Sequence, residues 1–120
     1  HHLIDAKAIE TMKPGAVIIN TARGKLIDSD ALIAGLESGK LGGAALDVLE
    51  NENGLYYYNR MGDVIPNPEL AALRSMPNVI LTDHTAFYTE EDVESMVRGV
   101  LESADAFAKG QPTRHDVTNL

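Results

Sequence analysis

Three short apolar runs constrain this chain most: Ala16-Val17-Ile18-Ile19-Asn20, Ala44-Ala45-Leu46-Asp47-Val48 and Asn78-Val79-Ile80-Leu81-Thr82. Each has the length of a strand and lacks polar alternation, the pattern of strands buried on both faces. Antiparallel strands can join through two residues, whereas parallel ones need long crossovers. The intervals here carry helical patterns, which predicts parallel pairing with right-handed connections. The fold class that follows is α/β, with a parallel sheet.

The helices are bounded by local signals. Lys13-Pro14-Gly15 punctuates ahead of the first run. Asp28 or Ser29 is placed to cap a short helix with Ala31, Leu32, Gly35 and Leu36 on one face, and Gly39 stands where a left-handed cap would end it. Residues 51–67 form a polar, tyrosine-bearing connection of a length that usually signals function, followed by a short helix opened by Pro68. Last, Thr89-Glu90-Glu91-Asp92 resembles a capping box with Asp in place of Glu or Gln, and Gly110 with Pro112 marks the stop. Between them Val93, Met96, Val97, Val100, Leu101, Ala104, Phe107 and Ala108 keep a helical spacing, predicting a stripe packed on something apolar.

Several function classes drop out. A length of 120 residues suggests one domain at most. With 10 Lys and Arg against 18 Asp and Glu, a net charge of −8 offers no basic stripe, so neither nucleic acid nor an anionic membrane is an expected partner. Cysteine is absent, which removes disulfides and thiolate metal sites and fits a reducing compartment, so a cytoplasmic location and no metal are expected. No apolar run approaches the roughly 18 residues that span a bilayer, and His1-His2-Leu3-Ile4-Asp5 lacks the basic and apolar regions of a signal peptide. There is no initiator Met, and His1-His2 reads either as the remnant of a tag or as the point where a longer sequence was cut.

Ligands of open parallel sheets bind beyond the carboxyl ends of the strands. Those ends carry Thr21-Ala22-Arg23, then Asp47 with Glu50 and Glu52, then Asp83-His84-Thr85. A guanidinium, carboxylates and an imidazole on one rim suit binding an anionic substrate and moving a proton. Taken singly, each has a plainer reading. Arg23 and Glu52 serve as surface charges, Asp47 caps a loop, His84 is structural, and Tyr56-Tyr57-Tyr58 packs the long connection rather than stacking on a ligand.

The segment Met12-Lys13-Pro14-Gly15-Ala16-Val17-Ile18-Ile19-Asn20-Thr21-Ala22-Arg23-Gly24-Lys25-Leu26-Ile27-Asp28 resembles the signature of the D-isomer-specific 2-hydroxyacid dehydrogenases. Residues 42–52 and 78–89 resemble that family's Asp-Glu and histidine segments, and the His-Thr-Ala-Phe-Tyr-Thr form is similar to its D-lactate dehydrogenase branch. The likeness covers essentially the whole chain. It implies the second half of a Rossmann-type doubly wound parallel sheet, with residues 1–88 the carboxy-terminal part of the NAD-binding domain and residues 89–120 a long connecting helix and tail returning to an absent substrate domain.

Carried over residue by residue, the resemblance implies that Arg23 binds the substrate carboxylate and carbonyl, that Glu52 partners the histidine, and that His84 donates the proton. It places Thr21, Ala22 and Arg23 along the nicotinamide side of NAD, with Asp47 near the carboxamide. Reduced nicotinamide would pass a hydride to pyruvate or a similar 2-keto acid, with a homodimer as the expected assembly. Alternatives are a dehydrogenase for bulkier 2-keto acids and a non-catalytic dinucleotide-binding regulator on the same fold. Asp83 departs from the family, standing where a Pro commonly precedes the histidine. A Gly-x-Gly-x-x-Gly turn for the pyrophosphate is missing, so the isolated 120 residues are expected to be inactive.

Overall fold

The computed structural model describes residues 1–113. In chain order come α1 (Ala6–Thr11), β1 (Ala16–Asn20), a 3-10 turn (Gly24–Leu26), α2 (Ser29–Glu37), β2 (Leu41–Leu46), α3 (Pro68–Ser75), β3 (Val79–Leu81) and α4 (Glu90–Ala108). The chain divides into two compact units, one spanning His1–Ala86 and the other starting at Phe87.

In the first unit β1, β2 and β3 lie side by side in that order, and both pairings are parallel. The start of β2 is irregular: Ala16 pairs with Leu41 and Val17 with Gly43, so Gly42 is looped past. A Cβ on Gly42 would sit 2.5 Å from the Gly15 carbonyl oxygen, which only a glycine permits. The helices begin where side chains accept the orphan amides of a first turn. Asp28 accepts from Ala31 N at 3.0 Å, and Asn67, ahead of Pro68, accepts from Leu70 N at 2.9 Å. Gly39, at φ +73°, ends α2.

Strands laid down in one direction with crossovers of one hand carry every helix to the same side. Accordingly α2 packs on β2, α3 on β3, and α2 touches both α1 and α3. Leu32 and Leu36 of α2, Leu73 of α3, and Ile18, Leu41 and Leu46 of the sheet form the core between these layers. Leu41 and Leu73 are each 1% exposed, and burying a leucine side chain stabilises by about 1.5–3 kcal/mol. Burial on both faces, expected from the apolar runs, is not what the described residues show. Val17, Ile19 and Ile80 point away from the helices and are 62%, 72% and 67% exposed. All three helices of this unit cover a single face, so the runs mark strands whose second face no residue of this unit covers.

The second unit is built on α4. Thr89 accepts from Asp92 N at 3.2 Å, one half of the expected capping box, while Thr89 N bonds Phe87 O instead of the Asp92 carboxylate. Glu90, Glu91 and Asp92 set negative charge against the helix N-terminus, and Glu94–Arg98 and Asp105–Lys109 pair one turn apart. The apolar stripe is present but uncovered among the described residues. No α4 side chain is buried, and Val100 is 68% exposed. No described helix is long and apolar enough to cross a membrane.

Candidate active site

Beyond β1, a buried asparagine shapes the turn that carries Arg23. Asn20 is 6% exposed; its Oδ1 accepts from Ala22 N at 3.0 Å and its Nδ2 donates to Arg23 O at 3.0 Å. Arg23 is exposed, with Nη1 donating to Ala22 O at 2.6 Å. Directly after it, a Cβ on Gly24 would lie 2.0 Å from the Leu49 carbonyl oxygen. The Arg23 turn is therefore seated backbone to backbone on the segment that follows β2, as only glycine allows.

That segment carries the acidic residues. Asp47, just past the end of β2, is 4% exposed and accepts three hydrogen bonds: from Thr82 Oγ1 at 2.5 Å, Thr85 N at 2.8 Å and Ala86 N at 2.9 Å. Burial pushes its carboxyl up, but Thr82, the Ala86 and Thr85 amides and the nearby His84 together outweigh burial and hold it below its ordinary value of 3.8. Asp47 thus grips the backbone that follows His84 and the Thr82 hydroxyl two residues before it. Glu52 folds back so that Oε2 accepts from Leu49 N at 2.9 Å, and Oε1 lies 3.0 Å from His84 Nδ1. His84 has φ +54°, and its carbonyl accepts from Tyr57 Oη at 2.5 Å.

Of the predicted site residues, the structure joins Glu52 directly to His84 and joins Asp47 to the amides beside it. Arg23 makes no hydrogen bond or ion pair with either Glu52 or His84 among the described residues. A cleft of about 260 Å³ opens at the same strand ends, with Ile19, Ala45 and Ile80 for a floor and Thr21, Asp47 and Thr82 at its polar edge. A neighbouring cavity of about 350 Å³ is lined by Tyr56, Tyr57, Tyr58, Ile65, Arg74 and Asp83. Burial foremost, then the Asp83 and Glu52 carboxylates, pushes the Tyr56 phenol up, so it stays neutral.

Sequence reasoning missed the turn-shaping role of Asn20 and gave Tyr57 only a packing role. An asparagine ending an apolar strand is a recognisable turn signal; nothing in the pattern of residues 51–67 singles out Tyr57. A separate polar cluster ties in the first residues. His2 Nε2 is 2.6 Å from Glu50 Oε1 and Nδ1 is 3.5 Å from Asp28 Oδ2, while His2 N donates to Lys25 O at 2.8 Å. One potential ligand atom from each of His1, His2 and Glu50 lies within 4.8 Å of the other two; no metal was expected from the sequence.

The sequence profile of the D-isomer specific 2-hydroxyacid dehydrogenase NAD binding domain matches residues 1–86. An aromatic 2-oxoacid reductase of Clostridium sporogenes is 49% identical over 107 residues, 89% of this chain and 32% of that protein. A D-lactate dehydrogenase of Leuconostoc mesenteroides is 47% identical over 111 residues, 92% of this chain and 34% of that protein. The crystal structure of a D-lactate dehydrogenase from Treponema pallidum superposes with a TM-score of 0.90 at 40% identity, over 98% of this chain and 36% of that one. The chain therefore spans about a third of the length of these relatives. With this profile matching 86 of its 120 residues, the chain belongs to the NAD-binding domain family of the D-isomer specific 2-hydroxyacid dehydrogenases.

Proposed function

We propose that this chain forms the reaction-centre half of the NAD-binding domain of a dehydrogenase that interconverts a small 2-keto acid and its D-2-hydroxy acid, pyruvate and D-lactate foremost. The observation that carries the reading is the 3.0 Å contact of Glu52 with His84 on a rim also bearing Arg23. The cleft suits a nicotinamide: its apolar floor accepts a flat ring and its edge offers hydroxyl and carboxylate partners. Thr21, Ala22, Arg23 and Asp47 would hold that end of NAD, and the reduced cofactor, when bound, supplies the hydride for the keto carbon.

The chain's own groups do the rest. Arg23 binds the substrate carboxylate through paired charge-assisted hydrogen bonds and polarises the carbonyl. Glu52 at Nδ1 orients the imidazole, which leaves Nε2 as the nitrogen that gives its proton to the carbonyl oxygen in reduction. In the reverse direction the same nitrogen takes the proton from the hydroxyl. The homologous D-lactate dehydrogenase supports pyruvate as the substrate. The homologous aromatic 2-oxoacid reductase and the tyrosine-lined cavity favour a second reading, an aromatic 2-keto acid. The working form is proposed as a cytosolic homodimer.

The test is turnover of pyruvate and phenylpyruvate by the full-length protein with NADH, with chiral analysis of the product. D-lactate at the higher kcat/KM supports the first reading, and a preference for phenylpyruvate supports the second. Turnover of no 2-keto acid refutes both.

A further inference from the structure

We infer that Tyr57 is a positioning residue for His84: its phenol holds the His84 carbonyl and, through it, the backbone turn that seats the imidazole on Glu52. The inference rests on the proposed role of His84 as proton donor. Three non-glycine residues among those described have positive φ, and two of them, Tyr57 at +66° and His84 at +54°, are joined by this hydrogen bond of 2.5 Å. Side chains are rarely tolerated in that backbone region, and such residues persist where surrounding contacts over-determine them.

His84 is restrained from three directions. Asp47 holds the amides of Thr85 and Ala86 that follow it, at 2.8 and 2.9 Å. Glu52 holds the ring, and Tyr57 holds the carbonyl. The His84 carbonyl and the Thr85 amide belong to one peptide plane, so Tyr57 on its oxygen and Asp47 on its N–H together fix the orientation of that plane, which helps decide where Nδ1 falls relative to Glu52. The two rings also lie 6.1 Å apart and tilted by 53°, so the phenol flanks the imidazole it positions. Tyr57 sits in the long connection between β2 and α3, and this contact gives that segment a task the sequence pattern does not reveal.

The experiment compares Tyr57→Phe with the wild type in the full-length protein. The conservative change keeps the ring of a side chain that is 69% exposed, so folding is preserved. Loss of the hydroxyl is expected to lower kcat for 2-keto acid reduction about fivefold, the usual effect of one neutral hydrogen bond, with KM little changed. In parallel, the downfield proton resonance of the Glu52-bound His84 Nδ1–H is expected to weaken or vanish. Glu52→Gln serves to assign that resonance. If either kcat or the resonance in Tyr57→Phe matches the wild type, the inference is overturned. Should the wild type itself turn over no 2-keto acid, the proposed function fails, while the resonance still reads whether Tyr57 positions the ring.

Discussion

Replacing Asp47 by Asn isolates what holds the histidine segment in place. The carboxylate accepts from Thr82 Oγ1 and Thr85 N on Oδ1 and from Ala86 N on Oδ2, in a site only 4% exposed. An amide of the same shape keeps one acceptor oxygen, and its NH₂ must face a donor. One charge-assisted bond is lost and a shielded N–H loses its acceptor, at a cost of about 2–4 kcal/mol. Because the bonds anchor residues 82–86, the loss falls on local opening rather than on the whole sheet. Hydrogen exchange resolved at single amides is the fitting assay in the full-length protein. Protection at Thr85 or Ala86 should drop by about 30- to 1,000-fold, with β1 and β2 unaffected. A displaced His84 should also lower kcat by on the order of 10²-fold. Unchanged protection at both amides would refute the role given to Asp47, whatever happened to activity.

Two further expectations follow from the same geometry. Gly24→Ala places a Cβ 2.0 Å from the Leu49 carbonyl oxygen, backbone against backbone, and should destabilise by about 3 kcal/mol, at the upper end of overpacking costs; a urea melt indistinguishable from wild type would show that the turn yields freely. The folded values of Asp47 and Glu50 lie below their ordinary 3.8 and 4.5, the latter chiefly through its hydrogen bond with His2. Their contribution is complete above those ordinary values and lost as pH falls through the lowered ones, so Glu50→Gln should flatten the acid limb of a stability-versus-pH curve. An unaltered acid limb would contradict that assignment.

What was legible in the sequence was local. β1 runs from Ala16 to Asn20 as read, because Pro14-Gly15 and the Asn20 turn bound it with residues whose backbone preferences act on the spot. Asp28, Pro68 and Thr89 mark helix starts for the same reason. β2 begins at Leu41 rather than Ala44 because Gly42-Gly43, a breaker on paper, is the pair of small residues that lets the strand pass Gly15 and Asn78. It ends before Asp47, which frees that carboxylate to reach across to β3's far end. α1 went unseen because its six residues carry one buried side chain, Ile9, and no periodicity. The expected two-sided burial failed for a reason no run of residues encodes: covering a second face takes helices, and those of this unit all lie on the other face. The Glu52–His84 pair was expected only through family resemblance, and Tyr57 was expected to pack the long connection, not to bond His84. Its bond to His84 spans 27 positions and depends on two unusual backbone angles.

The central claim is that His84, set by Glu52, gives and takes the proton in 2-keto acid reduction. The most direct measurement is steady-state reduction of pyruvate by the full-length protein carrying His84→Gln, beside the wild type. A fall in kcat of about 10²–10⁴-fold with NADH binding retained is the predicted result. Turnover by the variant at the wild-type rate would contradict it.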